Sequence, residues 1–240
     1  MHGYIKAQPA LEIKMGELDL GPVWLSVQLA TVTVVVLLII GTPLAWWLAF
    51  TRLRARALVE ALVALPLVLP PTVLGFYLLI LLGPAGPIGR FWVQITDTTL
   101  TFSFSGLVIA SVLYSLPFTV QPLQNAFETM GSSPLETAAT LRASPLDAFF
   151  NVASPIAMRA YISAMVLSFA HTLGEFGAVL MVGGNIPGAT KVISIAIYEH
   201  VETLNYTQAH ALSAGLLIFS FITLLGVYII NRRNPLNRAP

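Results

Sequence analysis

The chain contains no cysteine. That excludes a disulfide framework, thiolate catalysis and any cysteine-held metal. Charge is almost as scarce: only 10% of the 240 residues are charged and the formal net charge is +1, whereas an ordinary soluble domain carries roughly 25% charged residues. A nucleic-acid binder would need a concentrated basic face to neutralise phosphates, and this balance provides none. The pattern G-x-x-x-x-G-K-[ST] occurs nowhere. Nucleotide hydrolysis by a phosphate loop is therefore excluded, and any ATP-derived energy has to come from another chain. Histidine and carboxylate clusters with metal-ligand spacing are missing, as are hydrolase signatures, so the chain is expected to be no enzyme and to bind no cofactor itself. The glycines of GGNIPG, residues 183 to 188, lack the strand-to-helix context of a dinucleotide site. The start, MHGYIKAQPALEIKMGELDL, does not run from charged to apolar as a cleavable signal does. Insertion is expected to be directed by the first apolar segment.

What is abundant is apolar. With 56% hydrophobic residues and a mean hydropathy of +0.81, the chain reads as an all-α, multi-pass membrane protein. Pro22 to Phe50 carries no charge and exceeds the ~20 residues a helix needs to cross ~30 Å of hydrocarbon. Gly41, Thr42 and Pro43 are expected to bend it, and Trp46 and Trp47 fall where an aromatic belt belongs, just before Arg52, Arg54 and Arg56. A second span, Ala61 to Leu82, is punctuated by Pro66, Pro70, Pro71 and Gly75 and cannot be straight. Broken backbone at membrane depth is tolerated where it is packed in protein or lines a cavity, so this segment is either the wall of a pathway or a kinked packing helix. Residues 83 to 103 are expected to form a loop on the far side, with an interfacial helix around Phe91 and Trp92.

The third span covers Ser105 to Phe127, the fourth Pro155 to Val182 and the last Ala211 to Ile230. Val192 to Leu204 is amphipathic but too short to cross. Placing Arg52, Arg54, Arg56, Arg142, Arg159, Arg232, Arg233 and Arg238 on one side leaves Lys6, Lys14, Arg90 and Lys191 on the other, eight of 12 cations against four. The excess sets the amino terminus outside and the carboxy terminus in the cytoplasm. The domain division follows: residues 1–21 an extracytoplasmic tail, 22–231 a single transmembrane domain, and 232–240 a cytoplasmic tail. The sequence has no internal repeat, low-complexity tract or second domain.

Between the third and fourth spans lies the sizeable polar interruption, PLETAATLRASPLDAFFNVASP, from Pro134 to Pro155. Ser133, Pro134, Leu135 and Glu136 have capping-box syntax, with Ser133 as cap and Pro134 at the first helical position. The syntax returns at Ser144, Pro145, Leu146 and Asp147. The stretch therefore predicts a cytoplasmic helix-turn-helix whose two short helices meet near Arg142 and Ala143. Within the fourth span, His171 and Glu175 are ionisable groups in an expensive setting. Four apart on a helix they share a face and are expected to meet as a hydrogen-bonded pair, structural or functional. Gly174 and Gly177 flank the glutamate and permit close helix approach.

The polar stretch resembles the coupling loop of ABC-importer permeases, whose pattern is E-A-A, three residues, G, nine residues, I, any residue, L-P. Aligned without a gap, Glu136, Ala138 and Pro155 match and Val152 is a conservative change, while Thr137, Arg142 and Ser154 depart. Arg142 stands where glycine would allow a left-handed turn, a conformation costing a non-glycine residue about 1 kcal/mol. The runs LPLVLPPTVLGF (Leu65 to Phe76), LGEFGA (Leu173 to Ala178) and GNIPG (Gly184 to Gly188) resemble the molybdate-permease branch of that family, and sulfate and tungstate permeases share much of the pattern. The resemblance implies a type I ABC importer permease with five transmembrane helices in a bacterial or archaeal cytoplasmic membrane. It implies a homodimer, two cytosolic ATPase subunits that hold ATP and Mg, and an extracytoplasmic oxyanion-binding protein. The ATPase would dock on Glu136, Thr137, Ala138, Arg142, Ser144, Pro145 and Pro155. The pathway or gate is expected at Pro66, Pro70, Pro71, Gly75, His171, Gly174, Glu175 and Gly177. The rival is a self-sufficient channel or secondary transporter, which often shows paired inverted halves that this chain lacks; a membrane-embedded enzyme ranks third.

Overall fold

Helices make up the architecture that the computed structural model describes for residues 19–232, and no strand occurs among them. In chain order they are α1 (Gly21–Phe50), α2 (Arg56–Val68), α3 (Pro71–Leu82), α4 (Pro87–Thr96), α5 (Phe104–Met130), α6 (Ser133–Thr140) and α7 (Pro145–Ala148). After a π-helical turn at Phe149–Ala153 come α8 (Ser154–Ile156), α9 (Met158–Gly174), α10 (Gly177–Gly183), α11 (Ile193–Glu202) and α12 (Tyr206–Arg232). The tail positions Lys6, Lys14, Arg233 and Arg238, used above for orientation, lie outside the described residues.

Among the described residues three helices, α1, α5 and α12, are long and apolar enough to cross a membrane by themselves. Two bent pairs bring the number to as many as 5: α2 with α3 at 113°, and the Pro145–Ile156 run with α9 at 71°. The expected break in the second segment is present, and it falls at Leu69 and Pro70. Pro66 sits inside α2 without interrupting it. α1 likewise runs unbroken through Pro43. The fourth segment is a correction: the expected continuous helix from Pro155 to Val182 is turned at Ala157 and broken again after Gly174.

α1, α5 and α9 pack against one another as the central trio. Close approach is built into the sequence, since a Cβ added at Gly41 of α1 would lie 3.0 Å from the Thr119 methyl of α5. At one end of the trio Leu48, Val63, Leu123, Phe127, Ala153 and Ala157 form a buried cluster joining α1, α2, α5 and the π turn to the start of α9. Trp46 belongs to this cluster and not to an outer belt: its ring meets Phe127 and Phe149 edge-on, each at 5.0 Å between centroids. Near this end Arg56 Nε donates to Glu60 at 2.8 Å and its guanidinium also bonds Glu128, while the Gln124 amide donates to Glu60 at 2.7 Å and Glu128 at 2.9 Å. These four polar residues tie α2 to α5 just before α5 runs into α6. At the other end Asn185 and Lys191 both bond the Glu199 carboxylate at 2.7 Å, seating α11, and the Ile193 amide donates to Ser26 Oγ of α1 at 2.7 Å.

Candidate functional site

The polar helix-turn-helix forms as expected around Arg142. α6 ends at Thr140 and Arg142 takes the left-handed conformation, φ 61°. The Arg142 amide donates to the Ala139 carbonyl at 3.0 Å and the Ala143 amide to the Ala138 carbonyl at 3.1 Å. That pair of bonds is the Schellman closure that glycine usually makes, and here arginine makes it under strain. Ser144 Oγ then accepts from the Asp147 amide at 3.2 Å, so the second cap is present with Pro145 at the helix start.

The first cap is corrected. Helix α6 begins one residue early, because the Glu136 amide already donates to the Ser132 carbonyl at 2.9 Å. Ser132 is thus the cap residue, Ser133 and Pro134 occupy the first turn, and the Glu136 carboxylate accepts from the Ser132 hydroxyl at 2.6 Å instead of closing a box with Ser133. Glu136, Thr137, Arg142, Ser144, Pro145 and Pro155 are all exposed; Ala138 points inward. Past α7 the chain widens into its π turn, where the Ser154 amide reaches back to the Phe149 carbonyl. Pro155 has no amide to continue an α-helical ladder at that point.

Five of the eight pathway candidates gather at a second place, where two helix breaks face each other. A cavity of about 500 Å³ is lined by Pro71 and Thr72 from the first turn of α3, Tyr114 from α5, His171 and Gly174 from α9, and Glu175 and Gly177 beyond it. None of its lining residues is lysine or arginine. Helix starts carry partial positive charge, and α3 turns its start toward this space. Gly75 does not line the cavity but seats α3 on α10: an added Cβ would come 2.8 Å from Met181 Cβ and 3.0 Å from Ala178 Cα. A Cβ at Gly177 would meet Pro71 Cβ at 2.8 Å. Pro66 is buried within α2 and Pro70 is exposed at the bend, and neither reaches the cavity.

His171 and Glu175 do not form the expected pair. Because α9 stops at Gly174, Glu175 is extended (φ −68°, ψ 133°) and leaves the helical register that would have stacked it on His171. The histidine Nδ1 instead bonds Ser115 Oγ at 2.9 Å, and Ser115 Oγ contacts Thr172 Oγ1 at 3.1 Å. Its ring lies 4.1 Å from Phe118 and 5.0 Å from Tyr114, centroid to centroid. Glu175 is 4% exposed, and among the described residues neither of its carboxylate oxygens has a hydrogen-bond partner. The buried Ser111 hydroxyl faces it, but no hydrogen bond closes between them. The backbone is better served: the Glu175 carbonyl accepts from Ser194 Oγ of α11 at 2.5 Å. Thr72, Tyr114, Ser115 and Ser194 were missed by sequence reasoning. The signal available for Ser115 was a hydroxyl inside an apolar span.

The likenesses agree with this architecture. Residues 41–234 match the family described as binding-protein-dependent transport system inner membrane component. The chain is 56% identical over 218 residues to the molybdenum transport system permease protein ModB of Azotobacter vinelandii, covering 91% of this chain and 96% of that protein. It is 34% identical over 195 residues to the sulfate transport system permease protein CysT of Salmonella typhimurium, covering 81% and 70%. Among solved structures, a bacterial alginate ABC transporter in complex with an alginate pentasaccharide-bound periplasmic protein superposes with a TM-score of 0.71 at 15% identity, over 90% of this chain and 79% of that one. At that identity the likeness speaks for the fold alone. The chain belongs to the family of binding-protein-dependent transport system inner membrane components.

Proposed function

We propose that this chain is the permease subunit of an ATP-driven importer of molybdate. The observation that carries the reading is its 56% identity, along nearly its whole length, to a molybdenum transport permease. Sulfate is the second reading, favoured by the likeness to a sulfate permease. In this reading both bent pairs count as spans, giving five, with the amino terminus outside and the carboxy terminus in the cytoplasm. Residues 22–231 form the transmembrane domain of a homodimer served by an extracytoplasmic binding protein.

Two cytosolic ATPase subunits, holding ATP and Mg, would dock on the exposed turn carrying Glu136, Thr137, Arg142, Ser144 and Pro145. The pathway runs past the cavity at the two breaks. Thr72 and Tyr114 offer it neutral hydroxyls, and the absence of a lining cation fits a conduit that releases an anion easily after a delivery protein has selected it. Glu175 is the gate residue: a buried acid without a partner beside that route gains one only when the surrounding helices move.

The test is uptake of radiolabelled molybdate by cells that lack their own permease and express this chain with its ATPase and binding protein. Uptake should require the ATPase and resist competition by sulfate. Accumulation without the ATPase would overturn the importer reading, and preferential competition by sulfate would favour the second substrate.

A further inference from the structure

The α4 helix presents a face that the transport reading does not use. It is held against the end of α3 by backbone contact: a Cβ added at Gly86 would lie 2.1 Å from the Ile80 carbonyl oxygen, and one at Gly89 2.0 Å from that of Gly83. With the glycine side spent on this seat, Ile88, Phe91, Trp92 and Ile95 stand in one helical stripe, 49%, 65%, 36% and 65% exposed. Arg90 and Gln94 are exposed on another side. The Trp92 indole N–H donates to Thr98 Oγ1 at 3.2 Å, and Thr98 Oγ1 lies 2.8 Å from Thr96 Oγ1. The indole's polar edge is therefore turned to a small hydroxyl cluster at the helix end.

We propose that α4 lies flat in the surface of the bilayer, with Ile88, Phe91, Trp92 and Ile95 among the upper acyl chains and Arg90 and Gln94 toward headgroups and water. Lipid is the occupant because the stripe continues an exposed apolar surface on a helix counted among the spans. α3, immediately before it, exposes Phe76, Tyr77, Ile80 and Leu81, and the next helix, α5, is itself long and apolar enough to span. A helix of 10 residues is about 15 Å long and cannot cross the bilayer. An apolar stripe with aromatic residues opposite a polar side is the pattern of an in-plane helix. The consequence is mechanical: α4 fixes the depth of one end of α3, while the other end of α3 borders the cavity. The inference rests on membrane location and does not depend on which anion is carried.

Because the chain has no cysteine, single labels are clean. Phe91→Cys, Ile95→Cys, Arg90→Cys and Gln94→Cys are each spin-labelled on the purified full-length chain, which is then assembled with its partners in phosphatidylcholine and phosphatidylglycerol vesicles. Collision of the label with oxygen, which concentrates in lipid, is compared with collision with a water-soluble nickel chelate. The oxygen-to-nickel ratio should be several-fold higher at 91 and 95 than at 90 and 94. Equal or inverted ratios would mean that the stripe faces water. Protection of 91 and 95 from both reagents would mean that protein covers it. Either result overturns the proposal, while ATP-driven uptake by the same labelled samples reports separately on the transport function.

Discussion

Two interruptions of helix, one in the exposed turn at Arg142 and one in the buried turn at Glu175, solve the same backbone problem with different partners. At Arg142 the freed groups are satisfied within six residues, by the Ala138 and Ala139 carbonyls and by the Ser144 cap. At Glu175 the carbonyl is satisfied from a different element, by Ser194, and the side chain is not satisfied at all. An exposed turn can lean on water for whatever it lacks. A buried one depends on the fold around it, so its orphaned carboxylate persists only if the protein uses it or holds it in place. The exposed turn is thus a locally coded, self-sufficient unit, whereas the buried one exists only once α3, α5 and α11 have assembled.

If that contrast holds, the largest effect should come from disturbing the assembly around the buried break. Gly75→Leu forces side-chain atoms into Met181 and Ala178, and overpacking of this kind costs about 1–3 kcal/mol. A lowered melting temperature in detergent and loss of uptake are expected; a wild-type melt with normal uptake would show that α3 and α10 need not touch there. Next is Glu175→Gln, which keeps the shape and removes the acid. Its melting temperature should equal or exceed wild type while ATP hydrolysis proceeds with little transport. A gate also predicts increased labelling of cysteines engineered beside the cavity in the nucleotide-free state. Wild-type labelling and coupling with a lowered melt would make Glu175 structural.

The exposed turn should respond less. Arg142→Gly removes about 1 kcal/mol of left-handed strain, partly offset by the greater freedom of glycine in the unfolded chain, for a net gain of about 0.5 kcal/mol. A fall in stability would show that the arginine side chain itself holds the turn. Smallest is the effect of loosening the tie between α2 and α5, where Arg56 and Gln124 both donate to the Glu60 carboxylate. Part-exposed pairs of this kind contribute about 0–1 kcal/mol. Glu60→Gln should lower the melting temperature only slightly, and an unchanged melt would mean that the tie adds nothing.

Legibility of the sequence followed the same division. The helix-turn-helix was readable because Ser144, Pro145 and Asp147 act on backbone a few residues away; only the first cap slipped, since Ser132 and Ser133 are both serine and the hydrogen-bond ladder selected the earlier one. The α2–α3 break was readable from its prolines. The break after Gly174 was not: LGEFGA contains no proline, its glycines suit a packed helix equally well, and the hydroxyl that accommodates the turn, Ser194, lies in another helix. Treating the segment as one helix then placed Glu175 above His171. The partner that His171 has, Ser115, is 56 residues away and leaves no periodic trace.

The buried hydroxyls between α5 and α9 set which parts of the molecule can be levers. Ser115 with His171 and Thr172, and Thr119 with Ser168 at 2.7 Å, form two rungs one turn apart across that seam. Sliding one helix along the other by less than a turn would break both rungs at once, so against small shifts the pair holds as a single strut. That leaves the α2–α3 elbow and the short α10 outside the strut, set off from it by the breaks at Pro70 and at Glu175 to Phe176. If the chain works as the proposed importer, its cycle is expected to be a hinge motion at those two breaks, with the seam as the unbending axle.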